Sequence, residues 1–295
     1  MTKREQKRIE LVRRVHGLVG SDDIEKTRQS QEYIGTILGS TKDIEYREFV
    51  LEDMEAEWIS VKRPHMRKYI IMYCHGGGYS TGSTKYARTI TSKLAVSTSM
   101  DVLAFDYRLA PENPYPAALQ DAMKVWNYLM LLGYGARDII IAGDSAGGNL
   151  ALALTLKLKE EKRLLQRGLV LMSPWTDLTC SGQSFIKRAD MDPVLDGDYL
   201  YKTIKNYAEG QNLTNPFISP LFGDFTGFPP TYIQVGENEI LYSDSVRLHK
   251  KMVESNVSVK LDKFDGMVHV FQMIPFKKAY EAMEKSAEFI YEICR

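Results

Sequence analysis

The chain has 295 residues, enough for one large α/β domain with a lid, and its 38 Lys plus Arg balance 38 Asp plus Glu. That neutrality argues against nucleic acid as a partner, which would favour a basic patch. No run of roughly eighteen apolar residues suggests a membrane span, no signal-peptide core follows the charged start, and Cys74, Cys180 and Cys294 are too few and scattered for a disulfide framework or zinc site, so a cytoplasmic protein is the expectation.

In chain order, residues 3–20 space Ile9, Val12, Val15 and Val19 three or four apart, which predicts an amphipathic helix packed on the body or lid. Ile44–Leu51 and Glu57–Lys62 alternate like half-buried antiparallel strands. Strands and helices then follow one another: strands at 69–74 and 101–106, helix 117–131, strand 138–143, helix 146–160, strands at 168–173 and 231–236, helix 242–254, strand 257–263 and helix 277–293. That rhythm predicts a mostly parallel sheet covered by helices. The gap 178–228 interrupts it and holds Phe185, Tyr199, Tyr201, Tyr207, Phe217 and Phe222. With residues 1–40 it is expected to form a cap, in which most of these rings are core and some wall an apolar pocket.

Two motifs carry the chemistry. His75-Gly76-Gly77-Gly78-Tyr79 follows the strand run Tyr69–Cys74. Consecutive glycines can turn backbone N–H groups into a cleft where negative charge develops. A phosphate loop would need Gly-Lys-Ser/Thr, which is missing, and the dinucleotide fingerprint fits poorly. Tyr79, beside the glycines, is the aromatic first expected to touch substrate. The second motif, Gly143-Asp144-Ser145-Ala146-Gly147-Gly148-Asn149, lies between a β-branched run and an Ala/Leu stretch without proline. Strand, glycine turn and helix are the context of a nucleophile elbow, with Ser145 at its tip. Cys74 adjoins His75, but its place in a strand run favours a small buried side chain over a nucleophile.

An elbow serine is followed in the chain by an acid and then a histidine. Only His249 and His269 follow Ser145. His249 lies in a charged amphipathic stretch and reads as a surface residue. His269 lies in a loop just past the strand run 257–263, where catalytic side chains of open α/β sheets gather, and reads as the general base. Past the strand run Thr231–Gly236, Glu237, Glu239 and Asp244 compete for the acid; Glu239 is preferred, with Asp244 next as a residue that also suits a helix cap. Asp192, without a strand run before it, reads as a cap residue.

These residues resemble the hormone-sensitive-lipase-like branch of the α/β hydrolases. The resemblance rests on the two motifs above together with Asp106-Tyr107-Arg108-Leu109-Ala110-Pro111-Glu112, Tyr115-Pro116-Ala117-Ala118 and Ser173-Pro174-Trp175-Thr176-Asp177. Asp192-Pro193-Val194-Leu195, Ile218-Ser219-Pro220-Leu221, Val235–Leu241 and His269-Val270-Phe271 continue it in family order to the C-terminus. It implies an α/β-hydrolase fold with a helical cap, Ser145 as nucleophile, His269 as base, and the N–H groups of Gly77, Gly78 and Ala146 as the oxyanion hole. Most members carry aspartate where this chain has Glu239, though some carry glutamate. The implied activity is that of a serine carboxylesterase acting on short, uncharged acyl esters, with no metal or organic cofactor and a homodimer possible. An amidase, thioesterase or peptidase of the same fold is the nearest rival, and a non-catalytic small-molecule receptor a more distant one.

Overall fold

The computed structural model describes residues 7, 10, 12–14, 23–39, 41–65 and 68–295. Most of the helix expected over 3–20, including Ile9, Val15 and Val19, lies outside them; Val12 is described, helical and buried. One eight-stranded sheet runs in the order β1-β2-β4-β3-β5-β6-β7-β8. Its strands are β1 (Ile44–Leu51), β2 (Met54–Val61), β3 (Ile70–Cys74), β4 (Asp101–Phe105), β5 (Ile139–Asp144), β6 (Gly168–Met172), β7 (Thr231–Gly236) and β8 (Val259–Phe264). β1 and β2 pair antiparallel, β2 pairs antiparallel with β4, and every other neighbouring pair is parallel.

The helices are α1 (Ile24–Gly39), α2 (Thr84–Thr98), α3 (Ala117–Leu131), α4 (Ala146–Glu160), α5 (Ser184–Lys187), α6 (Gly197–Ala208), α7 (Tyr242–Glu254) and α8 (Lys277–Cys294). β3, β4, β5 and β6 are buried throughout because helices cover both faces, as their unbroken apolar runs require. Burial on β1 alternates, as expected of a half-covered antiparallel edge strand. β2 begins at Met54, three residues earlier than its alternation suggests, and is more deeply buried than a half-covered strand because α2 lies on it.

The sequence did not announce α2. Its run Thr84-Lys85-Tyr86-Ala87-Arg88-Thr89-Ile90-Thr91-Ser92 is rich in residues of modest helix propensity. Topology demands it nonetheless: β3 and β4 are adjacent and parallel, so the chain must cross back over the sheet between them. Ser83 caps the helix through the Tyr86 N–H, and Ala87, Ile90 and Leu94 form the buried stripe. The 178–228 segment holds α5, α6 and a 3₁₀ turn at Pro220–Phe222. Within it Tyr207 is buried, whereas Tyr201 is exposed.

Candidate active site

Ser145 stands at the tight turn from β5 into α4, with φ 51° and ψ −120°. A non-glycine residue held there is strained, and the surrounding backbone holds it. The Ser145 N–H donates to Met172 O on β6 at 2.9 Å, and the Trp175 N–H donates to Ser145 O at 3.0 Å. The turn can be this tight only because Gly147 has no side chain: a Cβ there would stand 2.0 Å from the Cys74 carbonyl oxygen.

His269 follows β8 and Glu239 follows β7, so parallel pairing brings both to the end of the sheet at which β5 releases Ser145. His269 Nε2 lies 3.0 Å from Ser145 Oγ, and Nδ1 lies 2.9 Å from Glu239 Oε2. All three residues are buried, with Ser145 at 9% exposure. A carboxylate at Nδ1 puts the ring proton there and leaves Nε2 to accept from the serine hydroxyl. Burial pushes the His269 imidazole down, but the hydrogen bond and charge of Glu239 outweigh it, with Asp192 and Asp144 adding, so its pKa is raised.

The loop after β3 lies against the elbow. Asp144 Oδ1 accepts from the Gly76 N–H at 2.9 Å and from the Tyr73 hydroxyl at 2.6 Å; burial pushes this carboxyl up to about 6. The Tyr107 hydroxyl donates to His75 O at 2.9 Å, and its ring stacks on the His75 imidazole. Gly77 turns through φ 109° and its carbonyl accepts the Ser80 and Thr81 N–H groups. Gly77 and Gly78 line the cavity in front of Ser145. Among the described residues, the N–H groups of Gly77, Gly78 and Ala146 have no protein acceptor. Ala146 is the first residue of α4, where the helix leaves its N–H groups open and partially positive.

The other acids make no hydrogen bond to His269, whose ring nitrogens meet Glu239 and Ser145. Asp244, in the first turn of α7, does not cap that helix: its Oδ2 accepts the Thr176 and Asp177 N–H groups at 2.7 and 2.9 Å. Glu237 is half-buried, and its N–H donates to Phe264 O. Asp192 is buried; Oδ1 accepts the N–H groups of Val194 and Leu195, and Oδ2 that of Ile240. It ties the wall segment 192–195 to the turn carrying Glu239. Sequence reading gave Asp192 no such link, and Asp144 no role, although the latter sat inside the elbow motif.

A cavity of about 400 Å³ opens on Ser145 and His269. Ile34 and Leu38 of α1, Leu195, Leu200 of α6, Met273 and Phe276 make its walls apolar. Arg28 anchors α1 over the site, donating to Ser80 O and Ala110 O at 3.0 Å each and pairing with Glu112 at 2.9 Å. Tyr79, expected at the substrate, is not on the cavity wall. It is buried beneath the loop, its hydroxyl donates to Asn149 Oδ1 at 2.7 Å, and its ring stacks on Tyr207 at 3.8 Å. The aromatic residues on the wall are Tyr86, Trp175, Tyr199 and Phe276. Among the described residues, no cluster of three or more His, Cys, Asp or Glu has a metal-holding arrangement.

The sequence matches a family model described as the alpha/beta hydrolase fold over residues 71–273. It is 41% identical over 223 residues to an esterase of Acinetobacter venetianus, covering 75% of this chain and 74% of that protein. It is 36% identical over 216 residues to an acetyl-hydrolase of Streptomyces hygroscopicus, covering 73% and 72%. Among solved structures, an esterase from the bacterial hormone-sensitive lipase family is similar with a TM-score of 0.93 at 30% identity, covering 99% of each chain. An esterase/lipase from an uncultured bacterium gives 0.91 at 29% identity, again over 99% of each.

Proposed function

The chain belongs to the hormone-sensitive-lipase-like family of α/β hydrolases and is a carboxylic ester hydrolase, and on that premise we propose that it works as a serine esterase through an acyl-enzyme on Ser145. The observation that carries this reading is the contact chain from Ser145 Oγ through His269 to Glu239 beside an apolar cavity. His269 Nε2 takes the serine proton as Oγ attacks the ester carbonyl. The oxyanion is held by the N–H groups of Gly77, Gly78 and Ala146, each worth on the order of 10²–10³ in rate. Imidazolium, stabilised by Glu239, then protonates the leaving alcohol. The neutral ring next activates water, which frees the acid and restores Ser145.

We read α1 and the 178–228 segment as a cap whose inner face supplies much of the cavity wall. An apolar space of about 400 Å³ suits short, uncharged acyl groups. No helix among the described residues is long and apolar enough to cross a membrane. The test is hydrolysis of p-nitrophenyl esters from acetyl to dodecanoyl by the wild type and Ser145→Ala. Turnover highest at short chains and abolished in the variant is expected. A folded wild type that turned over none of them would overturn the reading.

A further inference from the structure

The cavity beside Ser145 is apolar over most of its wall, and two polar groups on one side of it have no part in the chemistry above. They lie on the seam between α1 and α2. Gly35 of α1 is pressed onto the backbone of α2: a Cβ on it would stand 2.5 Å from Tyr86 Cα. This close approach brings Gln31, one turn earlier on α1, to the same side as Tyr86, and both line the cavity. Gln31 Oε1 accepts the Gly82 N–H at 3.2 Å, which fixes the amide's orientation and leaves its NH₂ as a donor. Tyr86 bonds only through its backbone among the described residues, its N–H to Ser83 Oγ and its carbonyl from Thr89 Oγ1, so its hydroxyl has no partner. Neither donor is sealed inside protein. Burial, then Asp144 and Tyr199, push the Tyr86 phenol up, so it remains a neutral O–H donor across the working range. Tyr86 and Gln31 share the cavity wall with Ser145, Gly77 and Gly78, and the Tyr199 hydroxyl lies 3.1 Å from where a Cβ on Gly78 would be.

Donors left open in an apolar cavity favour an occupant that brings an acceptor, and they discriminate against an isostere that lacks one. We propose that Tyr86 and Gln31 form an oxygen-recognition subsite, and that the preferred substrates are carboxylic esters carrying a second oxygen acceptor (hydroxyl, ether or carbonyl) a few atoms from the scissile carbonyl. This rests on the serine esterase reading of the site. The subsite receives the acyl or the alcohol side of the ester, and the two arms of the test separate these.

The acyl arm compares ethyl 3-hydroxybutanoate with ethyl butanoate, and the alcohol arm compares 2-methoxyethyl acetate with butyl acetate. For each pair the ratio of kcat/KM, oxygenated over plain, is measured in the wild type, Tyr86→Phe and Gln31→Leu. Intrinsic reactivity and any loss of folded enzyme cancel when the ratios are compared between variants. The expected result is a fall in that ratio of about threefold to tenfold in each variant on one arm, the worth of one neutral hydrogen bond. Ratios unchanged within about twofold on both arms, in both variants, would overturn the subsite while leaving the esterase reading intact. Absence of hydrolysis of all four esters and of p-nitrophenyl acetate by folded wild type would instead remove both.

Discussion

His269 sets the pH dependence of the proposed chemistry, and two opposed effects meet on it. Burial alone would keep the imidazole neutral, but Glu239 at 2.9 Å outweighs burial and raises its pKa. Only the neutral ring can accept the Ser145 proton. kcat/KM is therefore expected to rise with pH through a midpoint above the ordinary imidazole value of about 6.5. Glu239→Gln removes the charge, so the midpoint moves down while the plateau falls by on the order of 10⁴. A pH–rate profile checks this, and an unmoved midpoint would refute it. Asp192→Asn is expected to lower the midpoint less, and to raise KM because the Val194–Leu195 wall loosens from Ile240. His269 was legible because few histidines follow Ser145 and one lies past a strand. Tyr79 was misread because adjacency in sequence says nothing about which face of a loop a ring takes. The tight φ 60° turn at Tyr79 sends its ring inward onto Tyr207.

At the scale of elements, two contacts decide whether the site is assembled. The α4 N-terminus meets the end of β3 at Gly147, and the obstructing atom is a backbone oxygen that cannot step aside. Gly147→Ala is expected to cost about 1–3 kcal/mol or more and to abolish turnover. A shift in urea midpoint with loss of activity would show it, whereas full activity would contradict the geometry. α2 is held on the β1–β2 hairpin by Arg88, whose guanidinium binds Glu57 through two oxygens and Glu48 at 2.9 Å. Glu57 is fully buried. Arg88→Met strands that carboxylate and is expected to cost about 3–5 kcal/mol; pairing it with Glu57→Leu should recover most of the loss. This ion pair also explains why β2 and α2 were the elements read least well from sequence. A buried glutamate in a strand and a threonine-rich helix both run against propensity until they are packed together.

Over the whole molecule, the equality of 38 basic and 38 acidic residues hides where the acids sit. Burial pushes Asp144 up to about 6, Asp106 to about 7 and Asp244 to about 8. A group whose folded pKa is raised binds its proton more tightly in the native state, so the stability it contributes is lost as pH rises through that folded value. Asp177 and Asp262 are shifted down, and their contributions are lost only at acid pH. The melting temperature is accordingly expected to fall between about pH 5 and pH 9, and Asp244→Asn to flatten that fall. Calorimetry across this range measures it, and a melting temperature that climbed with pH would be decisive against it. None of these shifts was visible in composition, since each depends on what covers the carboxyl. Local sequence pattern suffices for the strand–helix rhythm of the sheet, the glycine turns and the positions of Ser145 and His269 at strand ends. These follow from β-branched runs and steric needs that act over a few residues. Tertiary structure decided that Asp244 turns to Thr176 and Asp177 while Glu239 meets His269, where Tyr79 points and which side chains wall the cavity, and it alone revealed α2. Those depend on parallel strands bringing together groups as distant as Ser145 and His269, 124 residues apart, and no local pattern encodes a contact made across the sheet.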